Sequence, residues 1–283
     1  NQKSGNDLRG LLAKEKKDYR EIIKKNSGRY KLEDAGVNSE YSDYGPAFYL
    51  DKVVFTSTRD TGNFSKRKHS WTDQYFSNFY SADLNQEGAL SNTNRYGKKL
   101  NSKFHESTPA FTKDGKTMYF VSDKPGGMGG ADIYKTAVLE NGTFGEMINL
   151  GNKINTEGQE MFPFIDSEER LFFSTDGHPG LGGLDVFVAF LENGRVGKIH
   201  SLGVPVNSQF DDFAFNLSKD LKTGFLSSNR EGGKGGDDIY AVQLIRPITF
   251  GVTIKGTAKD KKGEIVPNAK IDLKDDKGNV IGT

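Results

Sequence analysis

Short apolar runs separated by turn-forming residues fill most of the chain, and their spacing is typical of β-strands. One run covers residues 116–122 and directly follows Asp114-Gly115, a dipeptide that favours a tight hairpin turn. Another begins at Asp132-Ile133-Tyr134 and then alternates apolar and polar residues up to Leu139. A period of two residues predicts strands, whereas a helix would need apolar residues three or four apart. The pattern therefore predicts many short strands joined by tight turns.

Four copies of one motif organise the chain. Each copy opens with an Asn-Ser or Asn-Thr pair, carries an acid five residues after the Asn, and carries a second acid thirteen residues after it. The opening residues are Asn38, Asn101, Asn155 and Asn207. The acids at plus five are Asp43, Glu106, Glu160 and Asp212. Self-similarity of this length indicates a repeat architecture, so each copy is predicted to form one unit of the fold.

Glycine-rich loops follow the second strand in the last three copies, and each loop ends in an acid. These acids are Asp132, Asp185 and Asp238. The glycines predict hairpin turns whose N–H groups the carboxylates accept, while the next residues, Ile133, Val186 and Ile239, fill the core. A phosphate cradle is disfavoured because no helix pattern follows the loops. A metal site at Asp237-Asp238 is disfavoured because calcium needs about six or more oxygens and the other copies lack the second acid.

The strand count predicts a mainly β fold, a β-propeller of four repeat units, with a larger number of blades left open. The fourth unit ends at Val242-Gln243-Leu244 without an outer strand, while Tyr30-Lys31-Leu32 is a strand candidate that precedes the first unit. A propeller that borrows this early strand has no exposed sheet edge where the ring closes. We therefore predict that residues 30–32 pair with residues 238–244.

Two segments flank the predicted propeller, which covers residues 30–246. Residues 1–29 are predicted to form a helix and a linker, because six apolar residues follow a helical period. These are Leu8, Leu11, Leu12, Tyr19, Ile22 and Ile23. Residues 247–283 contain strictly alternating stretches at 250–254 and 269–273. We interpret them as the start of a second, β-sandwich-like domain that is cut short in this sequence.

Composition and charge narrow the classes of partner. The chain has 39 Lys and Arg against 38 Asp and Glu, so no overall field favours nucleic acid or an anionic membrane. No stretch approaches the roughly 20 apolar residues of a membrane-spanning helix, so direct membrane insertion is not expected. The absence of cysteine excludes disulfides, thiolate metal sites and cysteine nucleophiles.

The sequence predicts no enzyme, no cofactor and no metal site. The acids at plus five could line a channel as catalytic carboxylates, but a catalytic pair should break the repeat. Because they recur with the fold, they are predicted to make one structural hydrogen bond in every blade. Neither a Gly-x-Ser-x-Gly elbow nor a His-Glu-x-x-His motif is present, and the four histidines lack ligand spacing.

A basic insertion in the first copy is the main departure from the repeat. It runs from Ser65 to Trp71, and its candidate partner-binding residues are Lys66, Arg67, Lys68 and Trp71. Arg and Trp are enriched among interface hot spots, which favours a contact with a neighbouring protein. A solvated loop is the alternative interpretation.

The repeat resembles the WD40-like propeller repeat of the Tol-B-like type, through its Pro-Ala-Phe, Asp-Gly-Lys and Asp-Ile-Tyr elements. Two stretches, Phe172–Asp185 and Asp211–Phe215, look like the propeller of large OmpA-family envelope proteins in Bacteroidetes, including the PorE-like anchors of the type IX secretion system. The tail from Lys255 to Ile271 is similar to the opening of a carboxypeptidase-regulatory-like domain. No stretch resembles the peptidoglycan-binding domain of those proteins.

The resemblance implies a periplasmic, outer-membrane-associated protein whose partners are other envelope or secretion-complex proteins. Peptidoglycan would be bound only through a domain absent from this chain. The expected function is a non-enzymatic scaffold in the type IX secretion machinery. Two alternatives stay open: a carbohydrate- or peptide-binding propeller with hydrolytic potential, and an accessory propeller of a peptidase.

Overall fold

The computed structural model is mainly β and divides into two units, one ending at Ile248 and the other beginning at Thr249. It describes residues 19–49, 51–59, 78–85, 89–96, 109–140, 143–192, 194–248, 256–274, 278 and 280–282.

The first unit is a propeller of four blades, each a sheet of four strands. Blade 1 contains β2 (Asp43–Tyr49), β3 (Lys52–Ser57), β4 (Asn78–Leu84) and β5 (Leu90–Arg95). Blade 2 contains β6 (Ala110–Phe111), β7 (Thr117–Ser122), β8 (Asp132–Ala137) and β9 (Ile148–Asn149). Blade 3 contains β10 (Glu160–Ile165), β11 (Arg170–Thr175), β12 (Asp185–Glu192) and β13 (Arg195–Ser201). Blade 4 contains β14 (Asp212–Leu217), β15 (Thr223–Ser228) and β16 (Asp238–Leu244), with β1 (Tyr30–Asp34) as its outer strand. The predicted four-unit propeller is confirmed.

The ring closes through β1, as the strand count predicts. The two strands are antiparallel, with Tyr30 opposite Leu244 and Asp34 opposite Tyr240. Tyr30 is buried, and its ring meets that of Phe215 edge-on with 5.5 Å between centroids. The outer edge of blade 4 is therefore covered by a segment that precedes blade 1.

The chain enters and leaves the ring at one place. Ile245 N donates to Arg29 O at 2.7 Å, and Arg246 Nη2 donates to Ser27 O at 2.7 Å. Arg29 Nη1 in turn donates to Pro247 O at 2.7 Å. These bonds tie the residues just before β1 to those just after β16.

Helix α1 (Tyr19–Asn26) precedes β1 and packs beside blade 3. Ile23 is buried, and Asn26 Nδ2 donates to Ser201 O at 3.1 Å. The predicted helix is present over these residues, while Leu8, Leu11 and Leu12 lie outside the described residues.

The first strand of a blade lies nearest the centre, since β10 contacts β6 and β14, and β14 contacts β2. In three blades this strand carries a bulge, with a left-handed residue two positions after the repeated acid. These residues are Gly45, Phe162 and Ala214, with φ between 52° and 64°. The bulges bend the strands, and Phe213 lies 5.0 Å from Phe162 and 6.3 Å from Tyr44 between ring centroids. Aromatic side chains thus connect three inner strands.

Two apolar clusters hold the blades together. One joins blades 4 and 1 and contains Val53, Phe55, Phe225 and Ile239. The other joins blades 2 and 3 and contains Tyr119, Ile133, Leu171, Phe173 and Phe187. Ile133, Val186 and Ile239, predicted to fill the core after each glycine-rich loop, are fully buried.

The second unit contains one small hairpin, in which β17 (Leu273–Lys274) pairs with β18 (Val280–Gly282). An isolated bridge also joins Lys259 to Ile265 across a turn. The alternation at 269–273 predicts a longer strand, but the structure has one only from Leu273. Ile271 is 61% exposed, so there is no buried face to favour extended pairing. Residues 250–254 lie outside the described residues.

Candidate functional site at the carboxylate-bearing face

The structure describes three of the acids at plus five, and each of these three begins an inner strand and is fully buried. Asp43 starts β2, Glu160 starts β10 and Asp212 starts β14. Each accepts one backbone N–H and one hydroxyl from the Ser or Thr four residues before it, at 2.6–2.8 Å. The donors are Ser39, Thr156 and Ser208. The recurrence of one bond in these blades makes the carboxylates anchors of the loop between blades.

An arginine completes this arrangement in blades 1 and 4. Arg59 Nη2 donates to Asp43 Oδ1 at 2.6 Å and to Val37 O at 2.9 Å. Arg230 makes the equivalent ion pair with Asp212. Burial raises the pKa of the Asp212 carboxyl, and the charge of Arg230 opposes that shift. Each arginine therefore neutralises the charge of a carboxylate that is buried away from solvent.

Blade 3 replaces the arginine with an uncharged arrangement. Gly177 occupies the equivalent sequence position, and the next residue, His178, donates from Nε2 to Ile154 O at 2.8 Å. Glu160 receives the hydroxyl of Thr175 at 2.7 Å in place of a guanidinium. Burial raises the pKa of Glu160, and these hydrogen bonds oppose the shift. The repeat is thus chemically asymmetric at blade 3.

A second set of carboxylates lies where the third strand of a blade begins. Asp185 Oδ2 accepts the N–H groups of Leu181 at 2.8 Å and Gly182 at 3.0 Å. The glycine-rich loops of blades 2 and 4 bind Asp132 and Asp238 in the same way. The loops are therefore closed by the acid that ends them.

The burial of Asp185 makes the free energy of unfolding depend on pH. Burial raises the pKa of its carboxyl to about 7; the two loop N–H groups oppose the shift, and Asp212 and Asp211 add to it. In the unfolded chain the carboxyl has the ordinary pKa of an Asp side chain, about 4. Between these pH values the folded state holds a proton that the unfolded state has lost. The free energy of unfolding therefore falls as the pH rises through this window.

We expect Asp185→Asn to flatten this dependence. Asn keeps an oxygen for the loop N–H groups and cannot ionise. The free energy of unfolding should therefore no longer fall by up to about 1.4 kcal/mol per pH unit in this window. Urea unfolding at about pH 5 and about pH 8 measures the difference. Asp220→Asn is the control, because hydrogen bonds from Ser218 and Lys222 lower the pKa of that exposed carboxyl. Equal pH slopes for wild type and Asp185→Asn would contradict the assignment.

The three opening asparagines that the structure describes join neighbouring blades, a role that the sequence did not suggest. Asn207 Oδ1 accepts Val186 N at 2.8 Å, and its Nδ2 donates to Val186 O at 2.9 Å. The amide thereby pairs with one strand residue as another strand would. The same two bonds join Asn155 to Ile133 and Asn38 to Ile239. The presence of Asn in all four copies, beside a Ser or Thr that varies, was the available signal.

The structure does not test the remaining candidates. Glu106 and the four partner-binding candidates, Lys66, Arg67, Lys68 and Trp71, lie outside the described residues, so their contacts stay a prediction. Within the part of the chain that the structure describes, no group of three His, Cys, Asp or Glu side chains is arranged to hold a metal ion. Among the same residues, no helix has the length and apolar content to cross a membrane.

A different surface carries exposed apolar side chains. We call it the blade 2 edge: Leu139, Phe144, Met147 and Ile148, on and before the outer strand β9. These side chains are 45–53% exposed. They lie within ten residues of one another in the sequence, and Phe144 is bridged to Val138. Large exposed apolar patches on soluble proteins often mark interaction sites.

No protein-family model and no curated protein matches the chain. Among solved structures it is similar to a mannose phosphorylase from Leishmania mexicana, at 12% identity and a TM-score of 0.41, covering 83% of this chain and 94% of that one. It is similar to an alpha-L-arabinofuranosidase from Lactobacillus brevis, at 11% identity and a TM-score of 0.32, covering 81% and 76%.

A third similarity is to the β-propeller domain of the Trilobed protease from Pyrococcus furiosus, at 9% identity and a TM-score of 0.25, covering 67% of this chain. The chain spans 49% of that structure and 41% of a puromycin hydrolase with which it shares 12% identity. At these identities and TM-scores the likeness carries no argument about this chain.

Proposed function

We propose that this chain is a non-enzymatic scaffold, a rigid propeller that holds partner proteins in the bacterial envelope. The resemblance of its repeats to OmpA-family propellers supports a periplasmic, outer-membrane-associated place in the type IX secretion machinery. Under this proposal, peptidoglycan is bound by a domain outside this chain. The repeated carboxylates serve the frame, because their oxygens bind donors of their own blade or of the loop beside it.

The blade 2 edge is the observation that carries the proposal. Phe144 is 53% exposed and Ile148 is 50% exposed. Other apolar side chains of the same blade are buried in the core. Removing apolar surface from water is favourable by roughly 25 cal/mol per Å2, so a partner that covers these side chains gains binding free energy. A frame with an apolar edge is suited to holding another protein.

Blade 3 indicates which partner fits. The C-terminal end of its outer strand β13 contacts α1, where Ile23 is buried and Asn26 Nδ2 donates to Ser201 O. The blade 2 edge ends next to the equivalent position of the neighbouring blade, Asn149, which pairs with Tyr134 as Ser201 pairs with Phe187. We therefore propose that its occupant is the apolar face of a helix from a partner envelope protein.

The test is co-purification of the full-length protein from cells of its source. Phe144→Asp combined with Ile148→Asp is expected to lower the recovery of the specific partner at least about tenfold, because two charges would be buried in the contact. Both side chains are exposed, so the melting temperature should stay within experimental error.

Ile271→Asp is the matched control, since Ile271 is 61% exposed and lies in the second unit. Its partner recovery should equal that of the wild type. Equal recovery from the double variant would remove the blade 2 edge from the proposal. Fractionation that places the protein in the cytosol would overturn the envelope location.

A further inference from the structure

Contacts between strands join three of the four pairs of neighbouring blades. Strand β10 contacts β6 and β7 of blade 2, β14 contacts β11 of blade 3, and β2 contacts β14 and β15 of blade 4. Among the residues that the structure describes, no strand of blade 1 makes comparable contact with a strand of blade 2. We call this place the 1–2 junction and define it by Ala47 and Val54 of blade 1 and Phe111 and Met118 of blade 2.

In each of the three packed pairs, an aromatic residue of the second strand faces the next blade. It lies three residues before the end of that strand, as Tyr119 in β7, Phe172 in β11 and Phe225 in β15, and it is buried. Phe225 lies 5.3 Å from Phe48, and Phe172 lies 5.2 Å from Phe215, between ring centroids. Tyr119 belongs to the apolar cluster between blades 2 and 3. One ring from the preceding blade is thus common to these three pairs.

Blade 1 has Val54 at this position, and Val54 is half-buried. Its neighbours Val53 and Phe55 are buried in the cluster between blades 4 and 1, so Val54 lies on the other face of β3. Ala47 is paired with Val54 and is exposed. At these two positions the face of blade 1 towards blade 2 therefore carries small apolar side chains and no aromatic ring.

Phe111 is the residue that meets this face from blade 2. It lies ten residues after the opening Asn, the position that the other copies fill with Phe48, Ile165 and Leu217. Those three side chains are buried or pack on an apolar cluster, whereas Phe111 is 47% exposed. Phe111 is paired with Met118, which is half-buried and lies on the face of β7 opposite to Tyr119. Both sides of the 1–2 junction are therefore apolar and incompletely covered.

We propose that the 1–2 junction binds one aromatic side chain of a partner protein. The other pairs of blades show what this surface accepts, because each has a ring against the residue at the position of Phe111 or beside it. Val54 supplies no ring, so the ring comes from outside the blade and packs on Phe111, as aromatic pairs do with centroids about 4.5–7 Å apart. That a protein supplies the ring rests on the proposed function, whereas the binding of a small aromatic probe does not.

Saturation-transfer NMR with N-acetyl-L-phenylalaninamide tests the proposal on the full chain. This probe should bind, with the largest transfer to its ring protons, and N-acetyl-L-alaninamide should not. Phe111→Ala should weaken the binding about 2- to 10-fold, the usual effect of one aromatic pair. Val54→Phe should remove the binding, because the new ring takes the place of the probe as Phe225 does beside Phe48.

Met128→Ala is the matched control, because Met128 is an exposed apolar residue of the same blade that lies in the glycine-rich loop. That variant should bind the probe with wild-type affinity. Thermal melting gives a second measurement: Val54→Phe should melt at or above the wild-type temperature, since a ring that enters a packed space would lower it. Failure of the probe to bind, equal binding of the alanine compound, undiminished binding to Val54→Phe, equal loss in Met128→Ala, or a lower melting temperature of Val54→Phe would overturn the proposal.

Discussion

Deleting residues 1–34 is expected to abolish the cooperative unfolding transition of the propeller. The deletion removes α1 and β1 and exposes the edge of β16 over the five residues that β1 pairs. Burial of Tyr30 contributes about 1.5–3 kcal/mol, and each backbone bond contributes about 0.5–1.5 kcal/mol. Over the five pairs their sum is about 4–10 kcal/mol, which is comparable to the total stability of a domain. Circular dichroism against temperature and size-exclusion chromatography measure the loss.

Complementation in trans is the control for this deletion. A synthetic peptide of residues 19–34 contains α1 and β1 and should restore a transition when it is added in excess. The same peptide with Tyr30→Ala should restore less, because Tyr30 packs on Phe215. A truncated chain that melts like the full-length chain without any peptide would show that β1 does not close the ring.

Gly177→Ala is expected to cost about 3–5 kcal/mol of unfolding free energy. A Cβ at this position would lie 1.7 Å from Thr156 Oγ1 and 2.7 Å from Thr156 Cβ. Thr156 is fully buried and its hydroxyl binds Glu160 at 2.7 Å, so it cannot move without breaking a bond to a buried carboxyl. Urea denaturation, monitored by tyrosine fluorescence, gives the change in free energy.

Gly145→Ala is the matched control, in the segment between the bridge at Phe144 and β9 of the neighbouring blade. A Cβ there would meet Ala137 Cβ at 3.5 Å, an ordinary van der Waals contact. We expect a change within about 1 kcal/mol, because the loss of backbone freedom in the unfolded chain offsets minor crowding. Similar losses of unfolding free energy in the two variants would mean that the replacement of glycine itself, and not the contact with Thr156, causes the effect.

The sequence was sufficient for the architecture. Four copies in one register predicted four blades, and the missing outer strand after Leu244 predicted the pairing with Tyr30. Both inferences depend on counting strands, which requires only local patterns. The acceptor role of the repeated acids also followed from their recurrence, because a residue that recurs with the repeat is expected to have a structural role in each blade.

The contacts between blades could not be predicted in this way. Asn207 binds Val186, 21 residues away, because packing of two blades places the amide beside a strand. The exchange of an arginine for Gly177 and His178 in blade 3 is visible in the sequence, but its reason is the space that Thr156 occupies.

The adjacent entry and exit of the ring determine how it would respond to mechanical tension. A pull on the chain before Ser27 and after Pro247 would reach β1 and β16 at the same end, where Tyr30 faces Leu244. Antiparallel strands loaded at one end separate one bond at a time, beginning with the bonds of Arg29 and Arg246. Force would therefore unzip the seam while the other three blades bear no load.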